Sequence, residues 1–175
     1  MNSSQNFFTL FEIPLSSEVD MVLLEQKYKQ LQAQLHPDRH VNAIDSGKLA
    51  VIQQASLLND AYATLKSPLR RAEHLLQLKG VDTSSYTQAD LDKDFLLAQL
   101  KLREKLEELL TQADVEALTA MSREMESELA LKWNAFSVLF GSGNFQAAYQ
   151  AFRELQFLQK LIDEIREAED RLLDY

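Results

Sequence analysis

The sequence predicts an all-α protein of two units: an N-terminal antiparallel helical hairpin with short flanking helices, then a C-terminal antiparallel three-helix bundle. Three observations carry this. Turn-forming residues are scarce, 4 Gly and 3 Pro in 175 residues, too few for a many-stranded sheet. Apolar residues recur at three- and four-residue spacing along most of the chain. Charge is divided unevenly: residues 1–80 hold 8 Lys and Arg against 8 Asp and Glu, whereas residues 81–175 hold 10 against 19 and so carry the whole net charge of -9. Such a shift suggests two units with different partners.

Near the start, "FFTLF" is apolar enough for a short helix or an extended strip over the first core. The segment "SSEVDMVLLEQKYKQLQAQLHPD" reads as a helix with Ser17 as N-cap and Glu18 and Asp20 in its first turn. Leu24, Tyr28, Leu31 and Leu35 share one face, and Pro37 forces an end around Leu35. A second helix runs roughly from Leu49 to Leu65, with Val51, Ala55, Leu58, Tyr62 and Leu65 as its apolar stripe. Two amphipathic helices joined by a short polar loop, Pro37 to about Gly47, hide their stripes by packing antiparallel. "SPLRRAEHLLQLKG" is a short helix with Ser67 as N-cap, Pro68 at the first helical position and Gly80 just past its end.

The polar, aperiodic run at 81–90 reads as a linker between a unit at 1–80 and one at 91–175. Three helices follow. The first covers roughly Leu91–Leu110, with a core stripe at Phe95, Leu102, Leu106 and Leu109. The second, after Thr111, carries Leu118, Met121, Met125, Leu129, Trp133, Phe136 and Phe140. After a break at Gly141–Asn144 the third shows Phe145, Ala148, Phe152, Leu155, Ile162, Ile165 and Leu172 on one face.

Composition excludes several functions. With 0 Cys there are no disulfides, thiolate metal sites or cysteine nucleophiles. The acidic balance argues against non-specific nucleic-acid binding. No apolar run is long enough to span a membrane, and the first residues carry no basic, apolar leader, so a cytosolic location is the default expectation. The histidines are His36, His40 and His74. His36 and His40 have an i,i+4 spacing, but Pro37 keeps them off one helical turn, and Asp38 beside them makes a poor metal cage. No glycine-rich phosphate loop and no nucleophile motif occur. Neither a catalytic constellation nor a cofactor or metal site is expected.

The stretch "QLHPDRH", Gln34 to His40, has a local reading as a helix stop, in which Pro37 ends the helix and Asp38 caps the turn. It also lies in the loop of a helical hairpin, with Lys27 and Lys29 on the preceding helix and Arg39 just after, an arrangement suited to an acidic partner surface. In the first bundle helix, Leu96, Leu97 and Leu100 lie off the core stripe, on a face continued by Lys101, Arg103, Glu104 and Glu108, and Phe157 is displaced from the stripe of the third. Exposed apolar residues rimmed by charge suggest a partner patch, but the same leucines suit packing against neighbouring helices. The pattern alone leaves both open.

A helical hairpin with His36-Pro37-Asp38 in its loop resembles the J domain of the DnaJ-like co-chaperones over residues 7–75. The resemblance implies docking on a chaperone ATPase and stimulation of its ATP hydrolysis, through His36, Pro37 and Asp38 supported by Tyr28, Lys29 and Arg39. Glu18, Asp20 and Glu25, with glutamines at Gln26, Gln30 and Gln34, make this helix less cationic than is typical, which points to a dedicated partner. "SPLRRAEHLL", "FLLAQLKLREKLEEL" and "LQFLQKL" extend the likeness over the whole chain to the HscB-type co-chaperones of iron–sulfur cluster assembly, of the bacterial form without a zinc-binding cysteine extension. That resemblance implies an HscA-like chaperone ATPase and an IscU-like iron–sulfur scaffold protein as partners, with no membrane and no nucleic acid. It places the scaffold contact at Leu96, Leu97, Leu100, Arg103, Glu104 and Phe157. Lys101 stands where relatives commonly have an acidic residue. The alternative is a general J-domain co-chaperone serving a DnaK-like chaperone and unfolded clients.

Overall fold

The computed structural model describes residues 5–35, 45–84 and 93–173. Among them are seven helices and no strand: α1 Phe7–Leu10, α2 Met21–Gln34, α3 Asp45–Lys66, α4 Pro68–Leu78, α5 Lys93–Gln112, α6 Val115–Gly141 and α7 Phe145–Leu173. The chain divides into two compact units, Met1–Gly80 and Val81–Tyr175.

In the first unit, "FFTLF" forms the single turn of α1, capped by Asn6, whose side chain accepts from the amides of Phe8 and Thr9. Phe8 and Phe11 are fully buried, so this turn anchors the core. Helix α2 begins later than the sequence suggests. Its N-cap is Asp20, whose Oδ1 accepts from the amides of Val22 at 2.9 Å and Leu23 at 3.0 Å, and not Ser17. The reason is competition for the preceding residues. Ser16 Oγ accepts from the Glu18 amide, and the Ser17 carbonyl is claimed by Arg71 Nε at 2.8 Å, so neither residue is free to start a helix.

Helix α2 ends at Gln34 with Leu35 as C-cap. Helix α3 begins at Asp45, which takes Asp45, Ser46 and Gly47 out of the expected loop. A polar first turn carries no apolar period, so the pattern became visible only at Leu49. Tyr28 of α2 meets Tyr62 of α3, while further along Leu35 lies near Ala55, so the two helices run antiparallel. Ser67 caps α4, Pro68 opens it, and Gly80 takes the left-handed φ of 79° beyond its end.

Among the described residues of this unit the buried polar ones are Ser17, Thr64, Arg71 and His74, and the last two tie distant segments together. Arg71 spans from the Ser17 carbonyl to the Leu65 carbonyl at the end of α3, the latter at 2.6 Å from Nη1. His74 accepts a hydrogen bond from the Phe7 amide at Nε2, 3.2 Å away, and stacks on the Phe7 ring at 4.4 Å. It is therefore the neutral tautomer with the proton on Nδ1. Burial pushes its pKa below the ordinary histidine value, only partly opposed by Asp60; Arg70 and Glu73 lie in the same pocket. Because the unfolded chain then binds the proton more readily, stability is fully present above about pH 6.5 and falls as pH drops through the folded-state value. Urea midpoints should thus decline more between pH 7 and pH 5 for the native chain than for His74→Gln, which keeps an acceptor for the Phe7 amide. Parallel declines would rule this out.

The second unit is an up-down-up bundle. Arg166 pairs with Glu126, and Lys132 with Glu154 at 2.5 Å, a register that sets α7 antiparallel to α6. Lys105 reaches Glu124 across the α5–α6 seam, while Phe95 meets Phe157 and Arg103 meets Glu164 across the α5–α7 seam. The core gathers Leu106, Leu118, Met121, Met125, Leu158, Leu161, Ile162 and Ile165. Helix α7 buries a wider face than its predicted stripe, adding Leu158 and Leu161, because it packs against both other helices. Helix α5 runs through Thr111, whose Oγ1 bonds the Glu107 carbonyl, and stops at Ala113, which adopts a left-handed φ of 52° before Asp114 caps α6. In the second turn Gly141 is still helical and Gly143, at φ 80°, makes the break, after which the Asn144 side chain accepts from the Ala147 amide.

Candidate functional site

Two surfaces carry the candidate residues, one on each unit. On the first, Tyr28 stacks on Tyr62 with ring centroids 4.2 Å apart and planes 18° from parallel. Its hydroxyl donates to Asn59 Oδ1 at 2.9 Å and accepts from Gln32 Nε2 at 3.2 Å. Lys66 lies over the Tyr62 ring, 5.6 Å from the centroid. Tyr28 is thus held by α3 as much as by its own helix. Asn59 and Lys66 flank Tyr62 at helical spacing, but the apolar stripe of α3 marks Tyr62 only as a core residue and does not single them out.

Lys29 pairs with Glu25 one turn earlier at 2.7 Å. The hydrogen bond and the charge of Lys29 hold the Glu25 carboxyl below the usual carboxylate range, and Glu25 in turn raises Lys29. Lys27 pairs with Glu12 at 2.6 Å, and that carboxyl too is depressed. The cationic face of α2 is therefore muted by one partner on the helix and another brought from the turn after α1. Exposed pairs of this kind are weak because water screens them, so Lys29 can exchange Glu25 for another carboxylate at little cost. His36, Pro37, Asp38 and Arg39, in the connection between α2 and α3, lie outside the described residues.

On the second unit the six candidates fall into two groups. Leu97 and Leu100 are 55% and 54% exposed, and with exposed Glu104 and Lys101 they form the outer face of α5. Leu96 is half-buried. Arg103 and Phe157 meet in the α5–α7 seam. The guanidinium lies 5.9 Å from the Phe157 ring centroid and grips Glu164 with both terminal nitrogens, at 3.0 and 3.4 Å. Phe157 itself is half-buried, edge-on to Phe95 at 5.8 Å, and packed against the bundle core. The displacement of Phe157 from the α7 stripe, read as exposure, turns out to be contact with a second helix. Among the described residues no group of His, Asp and Glu is arranged to hold a metal ion, and no helix is long and apolar enough to cross a membrane.

Known proteins share both units. The family described as the HSCB C-terminal oligomerisation domain matches residues 91–166. A co-chaperone protein HscB homolog from Cupriavidus taiwanensis is 38% identical over 169 residues, covering 97% of this chain and 96% of its own. The solved structure of the chaperone HscB from Vibrio cholerae is 37% identical with a TM-score of 0.84, over 96% of this chain and 99% of that one. The crystal structure of human co-chaperone protein HscB is 26% identical with the same TM-score of 0.84, over 95% of this chain and 83% of that one. Likeness of this extent runs through the hairpin, the bundle and their order along the sequence: the chain belongs to the HscB family of co-chaperones.

Proposed function

We propose that this co-chaperone stimulates the ATPase of an HscA-like chaperone and delivers an IscU-like iron–sulfur scaffold protein to it. The observation that carries the reading is the full-length relation to HscB proteins in a chain that has His36-Pro37-Asp38 between α2 and α3. The first unit docks through His36, Pro37, Asp38 and Arg39, with Tyr28 and Lys29 supporting from α2. The bundle takes the scaffold on Leu96, Leu97, Leu100, Arg103, Glu104 and Phe157. The protein is an adaptor and not itself an enzyme, working in the cytoplasm without a cofactor of its own. Two weak contacts on one chain raise the effective concentration of cargo at the chaperone. Cluster ligands are thiolates or imidazoles, and with 0 Cys the chain leaves cluster ligation to the scaffold.

A steady-state ATPase assay tests this. The HscA-like chaperone should accelerate when this protein and the scaffold are added, and His36→Gln should abolish the acceleration while still pulling down scaffold. Equal stimulation by the variant sinks the reading. Stimulation of a DnaK-like chaperone with unfolded clients, and not of the HscA-like one, replaces it with the general co-chaperone.

A further inference from the structure

Helix α5 has two flanks. One holds Arg103 and faces Phe157 and Glu164 of α7. The other faces α6, and there the bundle leaves an open groove of about 470 Å³. Its apolar lining comes from all three helices: Phe95 and Leu102, Met125, and Phe157 and Leu158. Ala98 also lines it, an exposed position where a larger side chain would occupy the space. The polar lining is mainly acidic, with Asp94, Glu124, Glu128 and Glu154. Lys132 is bound to Glu154 at 2.5 Å and approaches Glu128 at 3.9 Å, and Lys105 is bound to Glu124 at 3.4 Å. Glu124, Glu128 and Glu154 against Lys105 and Lys132 leave the α6–α7 side of the mouth with more negative than positive charge. Leu97 and Leu100 are absent from this lining, so the groove is a different surface from the outer face of α5.

We propose that the groove docks a cationic amphipathic helix of a partner protein, on a surface that shares Phe157 with the proposed scaffold contact but none of its other residues. An apolar side chain of that helix enters between Phe95, Leu102 and Met125. Lysines or arginines one turn to either side meet Glu124 and Glu128, which are themselves one turn apart on α6. The volume lies in the range of binding clefts, and the apolar lining supplies affinity. The acidic rim supplies selection: an acidic helix meets like charge, and a neutral one covers carboxylates without replacing their water. Lys132 acts as an internal competitor, occupying Glu154 until a partner cation takes its place.

Isotope-labelled full-length protein, titrated with a synthetic leucine–lysine amphipathic helix and with its leucine–glutamate counterpart, provides the test. The lysine peptide should saturate at one per chain and shift the amides of Ala98, Met125 and Leu158, and the glutamate peptide should shift none of them. Glu128→Gln/Glu154→Gln should weaken binding about tenfold, as expected from losing two partly screened charge pairs. Lys132→Gln should strengthen it, an opposite effect at the same place that a damaged fold cannot produce. Shifts spread over the acidic surface without saturation, shifts centred on Leu97 and Leu100, or weakening by all of these variants would each overturn the proposal.

Discussion

Arg71→Met should unfold the first unit far more readily than any substitution on its surface. Arg71 is only 5% exposed, and its guanidinium donates to two carbonyls from different parts of the chain, Ser17 before α2 and Leu65 at the end of α3. The last carbonyls of a helix have no partner within it, and Arg71 supplies one to α3 from the next helix. Methionine fills similar space but donates nothing. Two buried acceptors are left unpaired at about 1–3 kcal/mol each, a large share of the few kcal/mol that hold a small unit together. Burial lowers the arginine pKa, with Glu18 opposing, but leaves it charged at neutral pH, so the loss does not depend on ordinary pH changes. Native-state hydrogen exchange is the measurement: the amides of α2, α3 and α4 should lose protection together. Native protection in the variant would show that the two bonds are replaceable. The functional consequence follows from the position of Ser17, just before the helix that carries Tyr28 and Lys29. Freeing that entry loosens the presentation of both.

How much of this was legible in the sequence depends on the range of the interaction. Local rules worked: Ser67, Pro68 and Gly80 punctuate α4 as their chemistry requires, and the stripes of α3 and α6 supply buried residues such as Leu58, Leu65, Met121 and Phe136. Local rules failed where a distant residue intervened. Ser17 is a good N-cap by type, but Arg71, 54 residues later, holds its carbonyl, and Asp20 takes over. Glu12 mutes Lys27 across a gap that no helical period spans. Phe157 is displaced only from a single stripe, and α7 has two neighbours. The α5–α6 groove could not be read at all, since it is space left where three helices fail to fill one another's surfaces. For the candidate sites, the residues of the outer α5 face were legible as an off-stripe cluster, whereas the clamp of Arg103 on Glu164 and Phe157 required the fold.

That clamp separates the two kinds of residue in the proposed scaffold contact, and the second large effect tests the separation. Leu97→Ala/Leu100→Ala removes two side chains that are more than half exposed. Alanine is at least as good a helix former, so the thermal midpoint should stay within the range of neutral surface changes, about 0.5 kcal/mol. If a partner covers both leucines, the same change costs about 2–3 kcal/mol of binding, roughly a hundredfold in Kd. Phe157→Ala should behave differently. Its ring packs on the core, meets Phe95 edge-on and lies beneath the Arg103 guanidinium, so its loss costs about 2 kcal/mol of stability as well as affinity. Arg103, with its apolar support gone, keeps its pair with Glu164. Calorimetry of scaffold binding alongside thermal unfolding distinguishes the cases: the leucine pair should move affinity alone, and Phe157 should move both. Unchanged affinity in the leucine variant would remove the outer face of α5 from the contact. An equal loss of stability in both variants would mean that the leucines are part of the fold and not a surface held out for a partner.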